Sequence, residues 1–156
     1  MILMKKIATA LLAFTLLILT GCGTASGGNI EGTLDEIMTK VTDGATDSEM
    51  KLMTTEVTDD NFSWYFFVEP IEGAEGLASE AAVNAIAHTI ALLRVPDGTD
   101  AETVRADIEK NIDPRKWVCV EAEKTAVVRH GNLILVAMSD AATVEKAVKN
   151  FDALAK

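Results

Sequence analysis

Residues 7–19 decide which part of this chain can build a fold. Ile7 to Leu19 is a run without charge, polar only at Thr9 and Thr15, with Lys5 and Lys6 directly before it. A helix that crosses a bilayer needs about 20 apolar residues, and this run has 13. A charged start, a short apolar middle and small residues at the end, here Leu19-Thr20-Gly21-Cys22, is the layout of an export signal that is removed. On this reading residues 1–21 are signal, the cut falls between Gly21 and Cys22, and only the residues beyond the cut must form a core.

Leu19-Thr20-Gly21-Cys22 also resembles the lipobox of bacterial lipoproteins. The resemblance implies that the Cys22 thiol takes a diacylglycerol, with palmitate-type chains, and becomes the first residue of the mature protein. The alternative is an ordinary signal peptide whose cysteine is incidental. Two or three acyl chains hold a protein to a bilayer far more firmly than one. The expected location is therefore the extracytoplasmic face of the cell membrane, with membrane lipid as the partner of Cys22. Residues 22–32 are small, polar and glycine-rich, the composition of a flexible tether. Residues 33–156 are then a single globular domain.

Without residues 1–21 the chain has 135 residues, one domain's worth and enough for a core without disulfide staples. Losing Lys5 and Lys6 takes the 14 basic residues to 12 against 24 acidic ones, a net charge of −12. Nucleic acid and anionic headgroups are repelled by such a surface. Once Cys22 is acylated, Cys119 has no partner, and its place in Trp117-Val-Cys-Val-Glu121 suggests a small core residue in a strand.

Thr33-Leu-Asp-Glu36 is a capping box, and Leu34, Ile37, Met38 and Val41 come after it at helical spacing, giving a helix over about 34–43. Met50 to Val57 reads as a strand. Phe62 to Val68 holds five of the domain's seven aromatic residues, and fits a buried strand or core wedge, or else a stacking platform for a planar ligand. Ile71 to Gly76 reads as a loop. Residues 78–88 are ambiguous between helix and strand, and 83–95 read mainly as strand. Thr99-Asp-Ala-Glu102 is a second capping box, for a helix over 100–112 that Pro114 stops. Three strands come next, at 117–121, 125–129 and 132–138, the last two joined by a tight turn at His130-Gly131. A final helix starts after Ser139 or Asp140. The expected fold is α+β, a mainly antiparallel sheet of five or six strands with helices on one face.

The two histidines, His88 and His130, are 42 residues apart, and no metal-binding spacing occurs, so neither a metal nor another cofactor is expected. Ser79 lacks a nucleophile-elbow context. His130, at a turn, is expected in solvent. His88, in an apolar stretch, is expected as a satisfied core histidine, with a working base as the rival. Asp113-Pro-Arg115-Lys116-Trp117 is basic and aromatic inside an acidic domain. Arg115, Lys116 and Trp117, with Trp64 and Tyr65, are the five candidate ligand or partner contacts; cations at a helix C-terminus are the plainer explanation.

Three segments carry a wider resemblance: Ala85-Ile-Ala-His-Thr-Ile-Ala-Leu-Leu-Arg94, Asn111-Ile-Asp-Pro-Arg-Lys-Trp-Val-Cys-Val120 and Gly131-Asn-Leu-Ile-Leu135. They resemble the lipoproteins grouped as domain of unknown function 4358, found mostly in Gram-positive bacteria. The resemblance implies export and a single α+β domain over roughly residues 34–153, and it supplies no catalytic residue to carry over. The functional expectations are three. The first is a membrane-anchored binding or interaction module that meets an envelope protein or a cell-wall component. The second is an envelope hydrolase using His88 with a carboxylate. The third is a structural or assembly lipoprotein.

Overall fold

A computed structural model describes residues 28–155; the expected signal, Gly21, Cys22 and the first part of the tether lie outside the described residues. Helix α1 (Leu34–Thr42) opens on the capping box, with the Thr33 side chain accepting from the Glu36 amide and Glu36 accepting from the Thr33 amide. Strand β1 (Leu52–Val57) is next, then the short helix α2 (Phe62–Phe66), strands β2 (Glu75–Ala81) and β3 (Thr89–Arg94), and helix α3 (Ala101–Asn111). Strands β4 (Lys124–His130) and β5 (Leu133–Ser139) and helix α4 (Ala141–Leu154) complete the domain. Five strands pair antiparallel in the order β1-β2-β3-β5-β4, so the fold is α+β as the sequence implies. Because β5 runs against both β3 and β4, the connection β3–α3–β4 joins two parallel strands with β5 between them.

The helices cover both faces of the sheet, not one. Alternation along the central strands explains this. Leu133, Leu135 and Ala137 of β5, with Ile90 and Leu92 of β3, pack against α1 and α4. The intervening Ile134, Val136 and Met138, with Ala91 and Leu93, pack against α2, α3 and Trp117. All seven residues of β5 are buried. A strand with six successive apolar residues, Leu133 to Met138, needs a layer on each side. The two outer strands carry polar residues, and their pattern alone is compatible with burial on one side.

Two stretches expected as strand are not. Phe62, Tyr65 and Phe66 stand at i, i+3 and i+4 and are all buried, so a single helical turn puts them on one face against the sheet, where an extended chain would split them. The helix ends at Phe67, which is left-handed with φ of 58°. Residues 117–121 form a turn because Val118 is also left-handed, with φ of 68°, and the Ala122 amide donates back to the Pro114 carbonyl. Cys119 is consequently exposed, not a core residue. Glu75 and Gly76, expected in a loop, start β2, and residues 82–88 form the β2–β3 connection. Asp100, not Thr99, caps α3, and Asp140 caps α4. His130 is buried rather than solvated, because its Nε2 pairs with Asp152 of α4 at 2.8 Å.

Gly76 is where the seat of α2 is tightest. A Cβ there would lie 2.7 Å from Val57 Cβ and 3.0 Å from Phe66 Cε2. Gly76→Ala is expected to cost about 1–3 kcal/mol by overpacking, read as a lower urea midpoint at unchanged slope. An unaltered midpoint would mean that α2 does not sit this close to β1 and β2.

Candidate functional site

Four of the five residues singled out in the sequence meet at one end of the sheet. Lys116, in the turn after α3, sends its ammonium group into a box of rings. Nζ lies 4.7 Å from the Trp64 ring centroid and 5.0 Å from those of Tyr65 and Trp117. These distances are those of cation–π contact. The Lys116 side chain is only 4% exposed. Arg115, the fifth residue, is not part of the box; its side chain is 71% exposed and lies 4.0 Å from Glu121.

The charge on Lys116 is met by Glu80, which sequence reasoning missed. Glu80 sits on β2 in a row across the sheet, with Met53 beside it on one strand and Thr89 on the other. Its Oε1 accepts from Lys116 Nζ at 3.1 Å, Thr89 Oγ1 at 2.9 Å and Trp64 Nε1 at 3.3 Å, and its Oε2 accepts from the Tyr65 hydroxyl at 2.9 Å. Lys116 Nζ also reaches the Trp64 carbonyl at 3.4 Å. The available signal was Glu80 itself, a carboxylate on the same strand face as Ala78, where a buried charge needs a cation.

Each group responds to this enclosure. Burial pushes the Tyr65 hydroxyl up to about 12, and the neighbouring Glu80 charge adds to it. Burial also works to raise the Glu80 carboxyl, but attraction to Lys116 and the bonds from Lys116, Tyr65 and Thr89 together outweigh it and hold Glu80 low. Lys116 is lowered by burial, with Glu80 opposing. The box is thus a closed, satisfied ion pair whose one open wall is Trp64, 45% exposed.

His88 lies at the same end, at the foot of β3, and is fully buried. Its Nδ1 is 3.0 Å from Ser139 Oγ, and the Ser139 hydroxyl in turn donates to Asp140 Oδ2 at 3.3 Å. Nδ1–H is therefore the donor and Ser139 the acceptor. A serine nucleophile would need the reverse, its proton directed to the histidine. The other ring nitrogen, Nε2, is buried without a partner. This geometry gives the hydrolase expectation no accessible base.

Stability should depend on pH through this residue. Burial lowers His88 below its ordinary 6.5, with the Asp140 and Glu80 charges partly offsetting it. The unfolded chain then binds the proton more readily than the native one. Stability is full above about pH 6.5 and falls as pH drops from there toward the depressed native value, by at most about 1.4 kcal/mol per pH unit. Urea unfolding at pH 7.5 and pH 5.5 should show this loss in the wild type and much less in His88→Gln. Equal losses in both would assign the dependence to other groups.

Exposed apolar side chains mark the same end. Met53, Trp64, Val83, Ile86 and Val118 are the large hydrophobic residues exposed among those described, with Val118 at 84%. Met53 pairs across from Glu80, Trp64 bonds to it, and Val118 stands two residues after the caged lysine. Val83 and Ile86 lie in the β2–β3 connection just beyond the Glu80–Thr89 pair. The chain comes in at the other end. Arg94 closes β3 there and donates to the carbonyls of Ile30 and Gly32. Asn29 packs against Gly131 in the β4–β5 turn.

Two further hollows are lined differently. A polar cleft of about 900 Å³ lies by the α1 N-terminus, between Asp35, Glu56, Glu75 and Arg94. An apolar groove of about 360 Å³ runs between β4 and α4, over Ala126, Val128, Val144 and Val148. Among the described residues no group of three or more His, Cys, Asp or Glu is placed to hold a metal ion, and no helix is long and apolar enough to cross a membrane. The chain matches no family model, no curated protein and no solved structure.

Proposed function

We propose that this chain is a lipid-anchored extracytoplasmic lipoprotein whose domain works as a binding or interaction module. One observation carries the reading. The exposed apolar side chains gather at the pole of the sheet opposite to the point where the tether joins the domain. A module held at one end and sticky at the other presents its contact surface away from its anchor. The acidity of the mature chain supports a protein or cell-wall partner over the anionic bilayer surface, which would repel it. Exposed apolar side chains gathered at one end of a domain are a usual mark of such a contact. Membership in the lipoprotein family resembled by residues 85–94, 111–120 and 131–135 belongs to the same proposal and rests on those motifs.

The test is co-purification from the membrane fraction, comparing wild type with Cys22→Ala and with the double variant Val83→Ser, Val118→Ser. Both serines replace exposed side chains, so the fold should persist. The double variant should stay with the membrane yet lose whatever co-purifies with the wild type. The Cys22→Ala chain should lose the lipid itself. A double variant that retains every companion of the wild type would overturn the assignment of the pole.

A further inference from the structure

We propose that the Trp64–Tyr65–Trp117–Glu80 box is an ammonium-binding site, filled in the free protein by the chain's own Lys116, and that the partner of this pole carries an ammonium group that takes its place. This deepens the reading of the pole as the contact end, and rests on it.

The box has the parts that recognise organic cations. Three ring faces surround one point at 4.7–5.0 Å, and a carboxylate closes the fourth side at 3.1 Å. Ring quadrupoles attract a cation with little demand on its direction, so they accept primary and methylated ammonium groups alike. A plain salt bridge does not need three aromatic walls. The occupant is also held through its side chain alone. Lys116 reaches Glu80 through a flexible side chain from a turn whose backbone bonds stay local, Lys116 to Asp113, Val118 to Arg115, Cys119 to Trp117 and Ala122 to Pro114. What its amine would give up on leaving is its contact with the rings, Glu80 and the Trp64 carbonyl, and none of the turn's backbone bonds. Burial also disfavours its charged form, in spite of Glu80. Trp64 is both a wall and an exposed member of the apolar pole, so an arriving ammonium would meet the box through the surface that the partner covers.

Lys116 acts as a tethered competitor, at an effective concentration on the order of millimolar. A small free cation therefore binds the wild type weakly. A partner that also covers Met53, Val83 and Val118 would bind with the sum of both contacts.

The chain has two tryptophans, Trp64 and Trp117, and both are walls of the box. Intrinsic fluorescence therefore reports on the site alone. The intact mature protein is titrated with tetramethylammonium chloride and, separately, butylammonium chloride, against sodium chloride at equal ionic strength. Wild type should give a saturable change with the two ammonium salts and none with sodium chloride. Lys116→Ala, which leaves the space between the rings open, should bind about tenfold more tightly, and Glu80→Gln about tenfold more weakly. A wild-type response indistinguishable from sodium chloride overturns the proposal, even if Lys116→Ala responds, because the box would then be a permanent internal staple. That failure would leave the pole as a contact surface intact, since the Val83 and Val118 variants test it separately.

Discussion

Lys116→Ala is expected to destabilise the domain by about 2–4 kcal/mol. Removing one member of a buried ion pair typically costs about 3–5 kcal/mol, mostly because the other charge is left alone. Glu80 is better protected than that. Its side chain is 21% exposed, and Trp64, Tyr65 and Thr89 would still donate to it. Against this stand the lost contacts of the amine with three rings and the hollow left between them. Lys116→Met separates the two contributions. An apolar side chain of similar volume refills the box, and such replacements of buried pairs are often neutral. Urea unfolding of both variants measures the difference. A cost below about 0.5 kcal/mol for alanine would mean that the caged amine does not hold residues 113–122 against the sheet.

Phe151→Ala should cost still more, about 3–5 kcal/mol. Phe151 is fully buried on α4, its ring 5.1 Å from that of His130. It belongs to the core shared by α1, α4 and the sheet, with Ile37, Val41, Leu133 and Leu135. The domain is small, so a loss of this size lowers the melting temperature by roughly 10 °C or more. The same core is tied at its rim by Asn150, whose amide donates to the Val41 and Asp43 carbonyls at the end of α1. Nothing in that arrangement lets α1 slide in to fill the space. Calorimetry on the variant gives the answer, and a shift of only a few degrees would mean that α4 packs loosely.

Elements with strong local signals are legible in the amino-acid sequence. The Thr33–Glu36 box opens α1 as its spacing requires, and the β4–β5 hairpin turns at Gly131, whose φ is 56°. The α+β class comes from hairpins outnumbering crossovers. The misread stretches are those where residue preference and tertiary demand diverge. Aromatic residues favour strands, yet Phe62, Tyr65 and Phe66 serve the core better from one helical turn. Trp117 to Glu121 reads as strand, yet Lys116 and Trp117 are drawn into the box, and the chain turns at Val118 to allow it. Burial on both faces is written in the unbroken apolar run of β5, Leu133 to Met138, but short apolar runs do not say how many layers cover them.

The candidate site shows the same limit from the other side. Trp64, Tyr65, Lys116 and Trp117 stand out by composition alone, because basic and aromatic residues are conspicuous in an acidic chain. Their convergence does not, since 52 residues separate Lys116 from Trp64. Glu80 is hidden among 24 acidic residues. Only the register of β2 against β1 and β3, which puts it between Met53 and Thr89, sets it apart. His88 is a core residue satisfied at Nδ1, as its apolar neighbours imply, and the structure adds an Nε2 without a partner, buried in the surroundings that give the expected acid sensitivity.

The pole faces away from the membrane only if the chain is held at its other end through Cys22. Intact-mass analysis of the protein purified from the membrane fraction tests this directly. The expected result is a mature chain that begins at Cys22, heavier than its sequence by a diacylglyceryl group on the thiol. A chain that begins at any other residue, or at Cys22 with an unmodified thiol, would contradict it.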